Sequence, residues 1–191
     1  MEYPLHNELE KELLDDEKLL WTGRPYPWSI FNRMDFFIIP FSLIFGGIVF
    51  IMGFFFFRNE GILKVIGTVL MAIAFYFVIG RFFYKFWKKK RTFYAVTDKR
   101  IVLYTHTFMK KTQSIYIDTL PALNKSVGFG KRGTLTFGNR PFYNALYANT
   151  GLDFLMGFYG DDVPTFYDIE DVETVYALVN SLRLAQKQKE K

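Results

Sequence analysis

The feature that most constrains the fold is an uncharged stretch from Phe36 to Phe57, bounded by Asp35 and Arg58. Sixteen of its 22 residues are Phe, Ile, Leu or Val. As a helix, residues 36–57 would reach about 33 Å, enough to cross a hydrocarbon core of about 30 Å. No face of this helix would be polar, so the pattern predicts a transmembrane helix and disfavours a buried core helix.

A second apolar run predicts a partner helix. Residues 65–80 are uncharged but would span only about 24 Å. Extension to Trp87 reaches the required length and includes Arg81 and Lys85, whose long side chains can reach the headgroups. We therefore predict a two-helix transmembrane hairpin within residues 34–91, with helices at about 36–57 and 63–87. An interfacial or re-entrant second helix stays open as the alternative.

The positive charge is concentrated beside this second run. The net charge of the chain is +5, and residues 81–91 alone hold six basic and no acidic residues. This distribution is typical of membrane topology and argues against a nucleic-acid partner. Since positive residues stay in the cytosol, both termini are predicted to be cytosolic. The same cations are candidate contacts to anionic lipid headgroups: Arg81, Lys85, Lys88, Lys89, Lys90 and Arg91.

The sequence after Arg91 changes to the pattern of short strands. Aromatic and β-branched residues predict strands at 93–97, 100–105, 112–117, 133–137 and 163–167, with a weaker one at 124–129. From Asp168, apolar residues at spacings of three and four predict an amphipathic helix, and residues 186–191 a frayed tail. Antiparallel strands followed by one such helix indicate a curled sheet, a barrel or sandwich, with the helix covering one end.

Three segments carry a family resemblance. They are residues 14–25, which contain Trp-Thr-Gly-Arg-Pro, residues 94–103, and residues 133–138 together with 166–172. In this order around a hairpin they resemble bacterial pleckstrin-homology-like (PH-like) membrane proteins. The resemblance implies a cytosolic arm at 1–33, the hairpin, and a PH-like barrel at 92–185, in the bacterial plasma (inner) membrane. It implies no general enzymatic activity. The turn Asp98-Lys99 is too short for the phosphoinositide site of eukaryotic PH domains.

Tests for catalytic or metal chemistry give no candidate. The chain has no cysteine, and its two histidines, His6 and His106, have no carboxylate at a metal-ligand spacing. Residues 128–133 match G-x-G-x-x-G, but a predicted strand follows them where a dinucleotide site needs a helix. We therefore predict a turn there, and no catalytic residue, cofactor or metal site.

An aromatic insert at residues 139–162 stands out because its central part, 141–160, carries only one charge, Asp153. An apolar segment of this kind marks an interaction surface if it is exposed. The alternatives stay open: it packs on the protein core, on the membrane, or on a second copy of the chain. The candidate surface residues are Phe142, Tyr147, Phe154, Leu155, Phe158 and Tyr159.

The function predicted from these patterns is a membrane-anchored, non-enzymatic PH-like adaptor or scaffold at the cytosolic face. The alternative is a lipid-linked role, either sensing anionic lipid or assisting lipid handling or transport. The expected partners are membrane lipids, a protein the sequence does not identify, and a second copy of the chain.

Overall fold

The computed structural model describes residues 14, 16–108, 110–128, 131–141, 148–152 and 163–189. The chain divides into two compact units. The β unit comprises Met1–Pro27, Lys88–Arg140 and Asp162–Lys191, and the helical unit comprises Trp28–Trp87 and Pro141–Asp161. The candidate surface residues of the aromatic insert, Phe142, Tyr147, Phe154, Leu155, Phe158 and Tyr159, lie outside the described residues.

Two long apolar helices dominate the helical unit. Helix α1 spans Asp35–Phe57, and the second helical stretch, Ile62–Lys90, consists of α2 (Ile62–Phe75), a π-helical turn (Tyr76–Gly80) and α3 (Arg81–Lys90). Both are long and apolar enough to cross a membrane, and only 17% and 11% of their most apolar windows is buried. The prediction of two such helices is confirmed, and the second one extends beyond the predicted 63–87.

Small residues set the register between the two helices. Gly53 and Gly67 bring the backbones together: a Cβ on Gly67 would lie 2.5 Å from the carbonyl oxygen of Gly53. Two turns away, Gly46 faces Ala74. We call these four residues the small-residue seam. Close approach through small residues is how helices pack when their surroundings are apolar.

The β unit contains two antiparallel sheets. The first has the order β1-β2-β3-β4 and the second the order β5-β6-β7. The described strands therefore form two sheets and no closed barrel, together with a C-terminal helix α4 (Val172–Lys189). The strand bounds are Leu19–Gly23, Thr92–Thr97, Arg100–His106, Lys110–Tyr116, Leu123–Val127, Gly133–Phe137 and Thr165–Ile169.

One core holds this unit together. Buried aliphatic and aromatic side chains of both sheets pack against the inner face of α4, including Tyr94, Leu135, Phe166, Val172 and Val179. Tyr94 and Phe166 stack with ring centroids 4.3 Å apart. Fully burying such side chains contributes about 1.5–3 kcal/mol each, which explains why the two sheets and the helix form one unit.

The sequence analysis did not predict strand β1. Its packing explains the residues Trp-Thr-Gly at positions 21–23 of the Trp-Thr-Gly-Arg-Pro motif. It pairs antiparallel with β2, with Trp21 opposite Val96 and Gly23 opposite Tyr94. Trp21 packs against Phe166 and folds back over Gly23, where a Cβ would lie 2.2 Å from the indole ring. Glycine is therefore required two residues after the tryptophan.

The start and end of the C-terminal helix differ from the prediction. Ile169 belongs to β7, and α4 begins at Val172, because Asp168 and Asp171 adopt positive φ angles of 49° and 51° that interrupt a helix. The helix continues to Lys189, so residues 186–189, predicted as part of a frayed tail, are helical. The glycine-rich motif lies between the paired strands β5 and β6, and Gly128 N–H donates to the carbonyl oxygen of Arg132 at 2.7 Å. Residues 129 and 130 of the motif lie outside the described residues.

Candidate functional site

A buried carboxylate at the start of α1 is the first part of the candidate site. Asp35 is 1% exposed. Its Oδ2 accepts a 2.8 Å hydrogen bond from the backbone N–H of Asn32, and its own N–H donates to Asn32 Oδ1 at 3.0 Å. This reciprocal pair has the form of a capping box, which satisfies N–H groups at a helix N-terminus. Local structure thus fixes the orientation of the carboxylate.

Two cations of α3 meet this carboxylate. Arg81 Nη1 donates to Asp35 Oδ1 at 2.7 Å, and Lys85 Nζ donates to Asp35 Oδ2 at 3.2 Å. The two cations are four residues apart and so lie on the same helix face. Lys85 Nζ also donates to the backbone oxygen of Ile30 at 2.6 Å. We call Asp35, Arg81 and Lys85 the buried charge cluster.

The register of the helices explains why these residues meet. Asp35 precedes the seam glycines of α1, and Arg81 follows Gly67 and Ala74 at intervals of seven residues. Residues seven apart lie on nearly the same side of an α-helix, as Gly67 and Ala74 do. The π-helical turn at Tyr76–Gly80 changes this spacing before Arg81, whose position beside α1 is shown by its bond to Asp35. The antiparallel contact of the two helices along the seam thus brings the C-terminal part of the second helical stretch beside the start of α1.

A short segment from the second part of the helical unit completes the cluster with backbone oxygens. The carbonyl oxygens of Asn149, Thr150 and Gly151 accept hydrogen bonds from Asn32 Nδ2 at 2.8 Å, Arg81 Nη1 at 3.3 Å and Tyr76 Oη at 2.7 Å. Gly151 has φ +83°, and a Cβ there would lie 2.3 Å from the carbonyl oxygen of Arg81. Only glycine permits this approach.

Only some of the hydrogen-bond donors of the Arg81 guanidinium have a partner. Its side chain is fully buried, yet its Nε and Nη2 have no hydrogen-bond partner. A buried donor without a partner costs about 1–3 kcal/mol, and more when it belongs to a charged group. Both oxygens of Asp35 already accept hydrogen bonds. The carboxylate cannot turn to the other edge of the guanidinium without giving up those bonds.

The buried charge cluster gathers cationic donors around one carboxylate. In the part of the chain that the structure describes, no group of three or more His, Asp or Glu residues could hold a metal ion. The cluster consists of hydrogen-bond donors arranged around one carboxylate. An arrangement rich in buried cationic donors is suited to hold an anionic group.

The six predicted lipid-contact cations differ in how far they are exposed to solvent. Arg81, Lys85 and Lys89 are buried, whereas Lys90 and Arg91 are exposed and Lys88 is half-buried. The side chains of Arg81 and Lys85 thus bind Asp35, where the sequence suggested extension toward the headgroups. In the β unit, Lys89 Nζ binds Asp168 at 2.5 Å. Headgroup contact by these cations stays a prediction.

Sequence reasoning used Asp35 only as the boundary of the apolar stretch and did not recognise its role. The available signal was an acidic residue at the start of one apolar helix and two cations, four residues apart, at the end of the next. An unpaired charge at either position would be costly, so their pairing could have been proposed.

A second buried ion pair lies in the β unit. The Glu17 carboxylate accepts hydrogen bonds from Arg100 Nε at 2.9 Å and from Thr97 Oγ1 at 2.7 Å. Burial alone would raise the pKa of Glu17, but hydrogen bonds from Arg100, the backbone N–H of Leu14 and Thr97 outweigh it and hold the pKa below 4.5. This pair fastens the segment before β1 to the β2–β3 hairpin.

A cavity of about 400 Å³ lies beside the Trp-Thr-Gly-Arg-Pro motif of residues 21–25. It is lined by Trp21, Thr22, Gly23, Arg24, Pro25, Tyr26, Pro27 and Glu170. The Arg132 guanidinium covers one side of Tyr26, 3.6 Å from the ring centroid. Arg24 itself stacks on Phe93, 4.1 Å from its ring centroid. These contacts account for the motif as a packing element.

Comparisons with known proteins add no family to this description. No protein-family model matches the chain, and neither the curated proteins nor the solved structures searched contain a match. The resemblance to bacterial PH-like membrane proteins is untested by these comparisons and stays a prediction.

Proposed function

We propose that the chain is a membrane-anchored, non-enzymatic adaptor that holds a PH-like β domain at the cytosolic face of a bacterial plasma membrane. The observation that carries the proposal is the pairing of β1 with β2. One strand precedes the two apolar helices and the other follows them, so both flanks belong to one folded unit. Two membrane crossings would return the chain to the same side, as this pairing requires.

The outward surface of the helices supports the membrane placement. Large apolar side chains such as Phe36, Phe37 and Ile62 are 70–77% exposed. Exposed apolar area of this extent is unfavourable in water and favourable in a bilayer. The cations at residues 81–91 favour cytosolic flanks.

The adaptor role is supported by an open sheet edge. In the described part of the chain, β4 pairs with β3 on one side and with no strand on the other. Lys110 and Lys111 lie exposed at its start. The open edge of a sheet can take an extended peptide as an added strand, and the exposed charge of Lys111 favours an acidic one. The proposed partner is therefore a protein with an extended acidic segment.

The adaptor proposal is tested by photo-crosslinking in cells. A photoreactive amino acid replaces the exposed Ser114 of β4, and a matched variant carries it at the exposed Ala185 of α4. We expect a discrete protein adduct at Ser114 that is absent at Ala185. Equal adducts at both positions, or none at Ser114, would contradict binding at this edge.

The alternative lipid-linked role is favoured by one surface. Lys90 and Arg91 are exposed where the second apolar helix ends, and exposed cations beside a membrane attract anionic headgroups. A third variant carries the photoreactive amino acid at Phe83, which is exposed on α3 and keeps both cations. Lipid adducts at Phe83 without any protein adduct at Ser114 would support this alternative over the adaptor.

A further inference from the structure

The buried guanidinium of Arg81 presents one complete edge with no partner. Nη1 is occupied by Asp35 and by the carbonyl oxygen of Thr150. Nε and Nη2 have no hydrogen-bond partner although they are buried. The N–H groups of Nε and Nη2 point in parallel from the same edge of the planar group, the arrangement that binds two oxygens of a carboxylate or phosphate.

The neighbouring residues hold the guanidinium of Arg81 in place without bonding to this edge. Asp35 is fully engaged by Arg81, Lys85 and the N–H of Asn32. The backbone of Gly151 lies directly against the backbone of Arg81, since a Cβ on Gly151 would lie 2.3 Å from the carbonyl oxygen of Arg81. A side chain held this firmly keeps its free edge in one direction, so little conformational freedom is lost when an anion binds.

We propose that this edge of Arg81 is a binding site for a phosphate group, supplied by an anionic lipid headgroup. Arg81 directly follows the uncharged residues 65–80, so in the proposed membrane placement it lies at the depth of the lipid phosphates. The lipid source therefore rests on that placement, whereas the phosphate chemistry rests on the geometry of the edge. A phosphate held by two parallel donors of a buried guanidinium should dissociate slowly, so we expect lipid to remain attached during purification.

The experiment measures phospholipid retained by the full chain in mild detergent, using native mass spectrometry and a phosphorus assay. The wild type is compared with Arg81→Lys, which keeps the charge but loses the two-donor edge, and with Arg81→Gln. Arg33→Gln is the matched control, because it removes an exposed cation two residues before Asp35 and outside the predicted lipid-contact set. Circular dichroism verifies that each variant is folded.

We expect retained lipid in the wild type and Arg33→Gln, and about tenfold less in Arg81→Lys, because one monodentate ammonium replaces a bidentate pair. The binding should resist salt, unlike loose attraction to surface cations. Retention by Arg81→Lys equal to wild type would overturn the proposal, and this variant decides the matter even if Arg81→Gln does not fold.

A second arm identifies the source of the phosphate. Delipidated protein is titrated with vesicles containing phosphatidylglycerol or with inorganic phosphate, and the melting temperature is recorded. A higher melting temperature with vesicles alone assigns the site to lipid. A higher melting temperature with inorganic phosphate assigns it to the free anion. No rise with either overturns the site. That failure would leave the membrane topology and the β4 crosslink, which are measured separately, unaffected.

Discussion

At the residue scale, the structure separates two kinds of buried charge. Glu17 is satisfied by Arg100, Thr97 and a backbone N–H, and it stabilises the β unit. Arg81 is satisfied on one side only. A fully paired charge is accounted for by the fold, whereas a half-paired one needs a further explanation, which for Arg81 is the phosphate that we propose.

The Glu17 pair predicts a specific acid sensitivity. Because the pKa of Glu17 is lowered in the folded state, its stabilisation is present above the unfolded pKa, near 4.5, and is lost as the pH falls through the folded pKa. Glu17→Gln should lower the free energy of unfolding by about 2 kcal/mol at pH 7 and lack this acid-dependent loss. Denaturant unfolding of the full chain in detergent, followed by near-ultraviolet circular dichroism from pH 7 to pH 3, measures both.

The control for that measurement is Glu170→Gln. Glu170 lies 3.9 Å from Arg132 with its side chain 75% exposed, so the change should stay within about 0.5 kcal/mol. If wild type and Glu17→Gln lost stability in parallel below pH 4.5, the proposed role of the pair would be wrong.

At the element scale, the helical hairpin depends on a few glycines more than on its large side chains. The phenylalanines mostly face outward, while Gly46, Gly53 and Gly67 make the contact between helices. Packing between helices in apolar surroundings comes from close backbone approach, since apolar side chains gain little by facing each other there.

This contact predicts different effects for two glycine substitutions. Gly67→Leu forces a side chain against the backbone of Phe57 and Gly53, whereas Gly47 has open space around it. Gly67→Leu should lower the melting temperature in detergent by about 5–10 °C, and Gly47→Leu should leave it nearly unchanged. Equal shifts for the two variants would contradict the seam.

The sequence was informative wherever the signal was local. The apolar stretch ending at Phe57 and the aromatic β-branched runs of β2 and β3 identify their elements by composition alone. Strand β1 was missed because it has five residues and its partner begins at Thr92. The meeting of Asp35 with Arg81 depends on how two helices align along glycines, which hydropathy does not encode.

At the scale of the whole molecule, the proposed topology places the β unit on one side of a membrane and the Arg58–Lys64 turn on the other. The chain contains no cysteine, so single cysteines can report on each side without background. Asn59 and Ser181 are exposed positions for them.

We expect an impermeant thiol reagent to label Asn59→Cys in intact cells and to leave Ser181→Cys unlabelled until the membrane is opened. The reason is the cluster of cations that flanks the second helix and favours the cytosol. Labelling of Ser181→Cys with protection of Asn59→Cys would reverse the orientation. Labelling of both would contradict two membrane crossings.

The pairing of β1 with β2 also sets an order of events during synthesis. Strand β1 leaves the ribosome first, but its partner follows roughly 70 residues later, a delay of about 4–14 s at typical elongation rates of 5–20 residues per second. During that interval the Trp21 strand has no sheet to join, while both apolar helices are being made. The β unit therefore completes its first sheet only after the helices have emerged. A folded β unit can exist only on a chain in which both apolar helices have already been synthesised.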